Sequence, residues 1–250
     1  TTTLRFGGEG DKQMNIAIIT AAGRGTRAKL STPKQFYLID GKPLLFYTIA
    51  AFERCKAIDG IVVVLPDNQL NYFEELKQKY GFNKLWAACP GGETNELSIY
   101  HGLLKAREFA DDDTIVVIHD GVRCLVQPNV IEENIEVCEQ KGNAITAIPC
   151  NEAMLFSEDG TQSAKSIKRE FIYKTQTPHS IRLKAALDLF KKSIDNGNQN
   201  SVALCTLLIE NNQKVYFSRG NALNFKVTAP EDIILFKSVL HTEYVNEDSK

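Results

Sequence analysis

Residues 20–35 read TAAGRGTRAKLSTPKQ, which sets Gly23 and Gly25 beside two cations seven positions apart, Arg27 and Lys34. Small residues let backbone N–H groups approach phosphate oxygens closely, and fixed positive charge neutralises what builds up as a phosphoryl or nucleotidyl group moves. The spacing Gly23-x-Gly25-x-x-Ala28 also matches a dinucleotide fingerprint, with Asp40 near the position of its ribose-binding acid. Pro33 interrupts the segment between them, however, and leaves too little chain for the crossover helix that a parallel pairing needs. A P-loop is excluded because Gly-Lys-Ser/Thr is absent. The stretch is therefore read as a backbone cradle for a polyphosphate, with Arg27 and Lys34 closing on it. Two solvated surface cations are the competing reading.

Such a cradle needs strands to aim it. Residues 15–20 (NIAIIT) form a short apolar run that ends at the glycine loop, as expected of a buried strand. Further strands are expected at 60–66, 85–89, 114–119 and 144–149, with helices at 43–55, 71–80, 95–109 and 130–140 between them. In the third helix Leu97, Leu103 and Leu104 are the candidate buried positions. Nearly all-apolar strands alternating with helices indicate a parallel sheet covered on both faces, an α/β fold. Ligands of such sheets bind outside the carboxyl ends of the strands. Three ends carry unusual residues, AAGRGTR, PGGETN and HDGVR, and are expected to meet in one crevice.

The alternation breaks at residues 152–178, where short strand-like pieces flank a Glu-Asp-Gly turn and suggest a hairpin excursion. A helix at 182–194, late strands at 214–218 and 223–227, and a final helix opened by a Thr228-Ala-Pro-Glu231 capping box complete the reading. The thirteen residues before Met14 lack periodicity and are set aside as an added or disordered extension, leaving 14–250 as one domain.

The 250-residue chain is 43% hydrophobic and 24% charged, which suits a soluble globular protein. Its net charge of −2 gives no basic excess for nucleic acid or a membrane surface. The six cysteines form no C-x-x-C pair, and with no secretory segment they are expected as free thiols in the cytoplasm. The four scattered histidines argue against a structural zinc site.

The segment A-A-G-x-G-x-R followed by P-K-Q resembles the cytidylyltransferases that make CDP-linked alcohols, the methylerythritol-phosphate and ribitol-5-phosphate group. The resemblance continues through Gly91-Gly92, Ser98, His119-Asp120-x-x-Arg123, Arg169, Gln176-Thr177-Pro178 and Lys226-Val227-Thr228, in family order. It implies a single Rossmann-like three-layer domain with a mostly parallel sheet, of nucleotidyltransferase type, whose hairpin excursion at about 152–178 is an arm embracing a second subunit, hence a homodimer. It implies that Thr20, Ala21, Ala22, Gly23, Gly25, Gly92, Glu93, Ser98, Asp120 and Gly121 hold CTP. By the same resemblance Arg27, Lys34 and Lys226 act on the reacting phosphates, and Asp120 holds Mg²⁺ together with the triphosphate, an oxygen-only site that suits this ion. Arg123, Arg169 and Thr177 face the acceptor, a polyol phosphate, with Arg169 contributed by the partner chain. The acceptor is already anionic, so no general base is needed. His119 is read as a packing residue.

Departures from the family pattern concern the acceptor side more than the phosphates. Asn95 stands where an arginine is common, Cys124 where a proline is usual, and Ala153 where methylerythritol-phosphate enzymes place a threonine; residues 200–204 replace an acidic segment. An alditol phosphate is therefore expected as acceptor, D-ribitol 5-phosphate first and methylerythritol phosphate second. A nicotinamide-dependent oxidoreductase and a catalytically silent nucleotide-binding module are the readings from other classes.

Overall fold

The computed structural model describes residues 13–23, 33–197 and 203–242. Gly25 and Arg27 lie outside these residues, as do the extension before residue 13 and most of the 200–204 segment. Eleven strands and seven α-helices are described. The strands are β1 (Asn15–Thr20), β2 (Leu38–Ile39), β3 (Lys42–Pro43), β4 (Gly60–Leu65), β5 (Leu85–Pro90) and β6 (Ile115–Asp120). They continue with β7 (Asn143–Pro149), β8 (Met154–Phe156), β9 (Lys165–Ile167), β10 (Tyr173–Arg182) and β11 (Phe217–Arg219). The helices are α1 (Leu44–Arg54), α2 (Leu70–Tyr80), α3 (Asn95–Ala106), α4 (Pro128–Lys141), α5 (Leu183–Asp195), α6 (Leu204–Glu210) and α7 (Pro230–Leu240).

Seven strands form one sheet in the order β11-β7-β10-β6-β1-β4-β5. All run parallel except β10, which pairs antiparallel with both neighbours. Every residue of β4 is buried, as a strand covered on both faces requires. One face packs against α1, α2 and α4 through Phe46, Ile49, Phe52, Phe73 and Ile131. The other packs against α3, α5 and α6 through Ile18, Val64, Leu103, Phe190 and Leu207. Gly102 is needed where α3 crosses the sheet, because a Cβ there would lie 2.6 Å from Ile18 Cγ2 and 2.8 Å from Val64 Cγ2.

Several expectations are corrected. Residues 173–178 do not belong to the excursion: β10 runs on from Tyr173 into the main sheet, so only the β8–β9 hairpin and its flanks stand apart. A strand lying antiparallel between parallel ones was hidden in a polar sequence, YKTQTPHSIR. Residues 223–227 form no strand, and residues 204–210, unassigned from sequence, form α6. Leu104 is 46% exposed and Leu97 half-buried. The carboxylate that caps α7 is Asp232, not Glu231: it accepts from the Thr228 and Ala229 N–H groups and from the Thr228 hydroxyl. Asp40 and Gly41, both at positive φ, form the two-residue turn between β2 and β3, away from the main sheet, in keeping with the rejected dinucleotide reading.

Candidate active site

Register puts the strand ends level. Thr20 lies opposite Asp120 on one side and Val64 on the other. The chain then turns over these ends on backbone hydrogen bonds: Ala21 N–H donates to Val64 O at 2.8 Å, Gly91 N–H to Leu65 O at 2.7 Å and Gly121 N–H to Thr20 O at 2.9 Å. The three loops touch. A Cβ on Gly91 would lie 2.4 Å from Ala22 Cβ, and one on Gly121 would lie 3.0 Å from Ala21 Cβ. Gly91 is thus required by the close approach of its neighbouring loop, Gly121 is tightly placed, and the three loops meet at the carboxyl ends of the strands as expected.

Ser98 organises its far wall. Its hydroxyl accepts the Gly92 N–H at 3.1 Å and donates to Thr94 O at 2.9 Å, while Thr94 Oγ1 caps α3 through the Leu97 N–H. Glu93 is exposed on this loop, and Asn95 opens the helix.

Asp120, at the end of β6, is the centre of a charge cluster. Lys226 Nζ donates to Oδ1 at 2.9 Å and Arg123 Nε to Oδ2 at 2.9 Å. Burial pushes the Asp120 carboxyl up, but the Lys226 and Arg123 charges outweigh it and hold the pKa at about 2. Its side chain keeps 19% exposure, so an ionised carboxylate still faces the crevice. Arg123 Nη1 donates to Asn224 O at 2.8 Å. Of its five donors, the bonds to Asp120 and Asn224 use two. The Asp120 N–H donates to Thr177 Oγ1 at 3.0 Å, which leaves that hydroxyl proton for another acceptor. Lys34 Nζ donates to the carbonyl of Val227, the residue after Lys226, at 2.7 Å. Lys34, Asp120, Arg123, Thr177 and Lys226, drawn from four parts of the sequence, are linked by these contacts.

No contact links Arg169 to this cluster among the described residues. It is exposed on the excursion, and its guanidinium donates to Asn151 O at 2.9 Å. His119 is wholly buried, with its ring 4.9 Å from that of Phe52 and Nε2 donating to Arg123 O at 3.2 Å. Burial lowers its pKa to about 3, so it stays neutral. Cys124 is buried with Sγ 3.3 Å from Leu44 O, and burial pushes its thiol up to about 12.

Asn224 escaped the sequence reading. It is 0% exposed, gives its carbonyl to Arg123, and donates through Nδ2 to Thr177 O at 2.8 Å. Its one sequence signal is a polar residue inside the apolar run LNFKV.

A mostly parallel three-layer sheet, with its strand ends gathered around one carboxylate and several cations, defines the chain as an α/β nucleotidyltransferase. It belongs to the IspD family, 2-C-methyl-D-erythritol 4-phosphate cytidylyltransferase, whose profile matches residues 15–242. The chain is 34% identical over 227 residues to a ribitol-5-phosphate cytidylyltransferase of Streptococcus agalactiae serotype Ia, covering 90% of this chain and 95% of that protein. It is 38% identical over 234 residues to the 2-C-methyl-D-erythritol 4-phosphate cytidylyltransferase of Clostridium acetobutylicum, covering 91% and 97%. The crystal structure of 4-diphosphocytidyl-2C-methyl-D-erythritol synthase from Anaerococcus prevotii matches with a TM-score of 0.78 at 25% identity, covering 92% of this chain and 97% of that one. The protein is a cytidylyltransferase. Among the described residues no helix is long and apolar enough to cross a membrane.

Proposed function

We propose that this enzyme transfers CMP from CTP to D-ribitol 5-phosphate, releasing pyrophosphate and CDP-ribitol. The observation that carries the reading is the Asp120–Arg123–Thr177–Lys226 cluster at the carboxyl end of β6, directly beside the loop after β1. An acceptor phosphate oxygen attacks the α-phosphorus of CTP, and the bond from that phosphorus to the bridging oxygen of pyrophosphate breaks. The acceptor oxygen needs no base, because a phosphate monoester has its second pKa near 6. What the transfer needs is placement and positive charge. Lys34 and Lys226 supply the charge beside the α-phosphate, with Arg27 in the same role. Arg123 and Thr177, each with donors left, receive the acceptor phosphate. Thr20, Ala21, Ala22, Gly23, Gly25 and Gly121 cradle the triphosphate and ribose, and Gly92, Glu93 and Ser98 flank the cytosine.

Mg²⁺ fits this donor set as a shared ion. Among the described residues no group of three or more His, Cys, Asp or Glu could hold a metal by itself. Asp120, ionised and partly exposed, offers the one carboxylate, and the nucleotide phosphates would complete an all-oxygen site. Bound there, the ion would offset charge on the triphosphate.

Two features support the wider reading. The excursion exposes Leu155 at 66% and Phe171 at 72%, an apolar surface fit for a second copy of the chain, whose Arg169 would then reach the acceptor. All six cysteines are free, as in a reducing cytoplasm.

Ala153, which carries no hydroxyl, and ribitol-5-phosphate cytidylyltransferase relatives that match nine-tenths of the chain support D-ribitol 5-phosphate as the acceptor. The 38% identity to a methylerythritol-phosphate enzyme supports the second reading, 2-C-methyl-D-erythritol 4-phosphate as acceptor. Pyrophosphate release with CTP, Mg²⁺ and each acceptor separates them. A kcat/KM at least about tenfold higher for D-ribitol 5-phosphate is expected. The reverse order installs the second reading, and no release with either sinks both.

A further inference from the structure

The strand that carries Thr177 leaves its ladder where Thr177 sits. Thr175 pairs with Ala147 of β7 and His179 with Ile145, so Gln176, Thr177 and Pro178 stand opposite Thr146 alone. A bulge of this kind leaves backbone groups without ladder partners, and buried polar groups need partners. Side chains provide them here. The Thr146 hydroxyl donates to Pro178 O at 2.7 Å, and Asn224 Nδ2 takes Thr177 O at 2.8 Å. Thr146 is itself anchored: Asn134 of α4 donates through Nδ2 to its Oγ1 at 3.2 Å and to Ser218 Oγ at 2.8 Å, and receives the Ser180 hydroxyl on Oδ1. Thr146, Asn134 and Ser180 are all 0% exposed, so water cannot substitute for a lost partner from the surface.

We propose that Thr146, anchored by Asn134, is a positioning residue: its hydroxyl fixes the bulge at Pro178 and so holds the Thr177 hydroxyl on the Asp120 N–H. This rests on the reading of Thr177 and Arg123 as acceptor residues. Thr146 lies on the α4 face of the sheet and touches no substrate. Its effect should therefore fall mainly on the acceptor side and weigh less on CTP, most of whose cradle follows β1 and β5, with only Asp120 and Gly121 at the end of β6.

Thr146→Val keeps the shape and removes the hydroxyl, whereas Thr146→Ser keeps the hydroxyl. With D-ribitol 5-phosphate and, in parallel, 2-C-methyl-D-erythritol 4-phosphate as probes, the valine variant should lose about tenfold or more in kcat/KM for the acceptor, with KM for CTP within about twofold. The serine variant should stay within about threefold of the parent on both. Amide exchange read by NMR tests the geometry without catalysis. The Asp120 amide should exchange about tenfold faster in the valine variant, relative to the Ile18 amide of the core, and at the parent rate in the serine variant. Thr146→Cys, a weak donor of similar size, should fall between them and replaces the valine variant if that one does not fold. Equal behaviour of the serine and valine (or cysteine) variants, or an unchanged Asp120 amide in the variant that lacks the hydroxyl, overturns the proposal. If the parent enzyme consumes neither acceptor, the functional reading fails, and the exchange data still decide the role of Thr146.

Discussion

Lys226 donates to Asp120 Oδ1 at 2.9 Å across 106 positions of sequence, tying the loop before α7 to the end of a central strand. The Lys226 side chain is 41% exposed and that of Asp120 19%, so the pair stands at the surface with the lysine on its outer side. Lys34 bonds the carbonyl of the next residue, Val227, so two lysines are anchored on the same short segment. Lys226→Ala should therefore lower kcat by about a hundredfold or more with little change in KM for CTP, because the charge is needed most when the phosphate bond is breaking. Steady-state pyrophosphate release measures this. A loss below about threefold would remove Lys226 from the chemistry.

The central strands were legible because each is a short apolar run closed by a turn signal, and GIVVVL can hardly be anything but a buried strand. The crevice was legible for the same reason: in a parallel sheet, loops at the carboxyl ends must meet. β10 was not. Its first residues read as part of the hairpin excursion, and its polar groups find partners distant in sequence, Asn134 for the Ser180 hydroxyl and Asn224 for the Thr177 carbonyl. The grouping of Lys226 with Asp120 likewise depends on the path of residues 220–227, where the alternation LNFKV reads as a strand that does not form; only the family resemblance pointed there. The capping residue of α7 was misplaced by one position, since Glu231 and Asp232 are both plausible by type and only the Asp232 geometry reaches the Thr228 and Ala229 N–H groups.

Two glycines separate packing from binding. A methyl on Gly102 would press into Ile18 and Val64 at 2.6 and 2.8 Å, deep in the core. A methyl on Gly91 would meet Ala22 Cβ at 2.4 Å and Ser98 Oγ at 2.9 Å, at the crevice. Gly102→Ala should cost about 1–3 kcal/mol in denaturant unfolding and leave KM for CTP near its parent value. Gly91→Ala should cost a similar amount, about 1–3 kcal/mol, and raise KM for CTP as well, because the two loops that cradle the nucleotide must part. Parallel effects of the two substitutions on KM would show that Gly91 only packs.

Acid should destabilise the fold through histidine before it reaches Asp120. Burial lowers the pKa of His119 to about 3 and of His179 to about 4, both below the unfolded value of about 6.5. The unfolded chain then binds more protons, so stability is full above about pH 6.5 and falls as pH drops toward 4. Two such groups amount to about 4 kcal/mol between pH 7 and 5. Asp120, lowered to about 2, keeps its contribution until pH falls below about 4, outside that window. Urea unfolding at pH 7 and 5 measures the difference. His119→Phe, whose ring would pack on Phe52 without a titrating nitrogen, should cut it to about half. A loss as large as the parent's in that variant would mean that His119 is not its source.

Leu155 and Phe171 expose 66% and 72% of their surface on a hairpin and 3-10 turn that stand outside the main sheet. A two-stranded hairpin is marginal by itself in water, and apolar side chains so exposed gain when a second surface covers them. The enzyme should therefore sediment at twice the chain mass, and Phe171→Glu should weaken that association by about tenfold or more by burying a charge. If Arg169 reaches the acceptor only from the partner chain, the same variant should lose activity at low protein concentration and regain part of it as the concentration rises. Activity that stays independent of concentration while the variant sediments as a monomer would place the whole acceptor site within one chain and leave Arg169, bonded to Asn151, with a structural role alone.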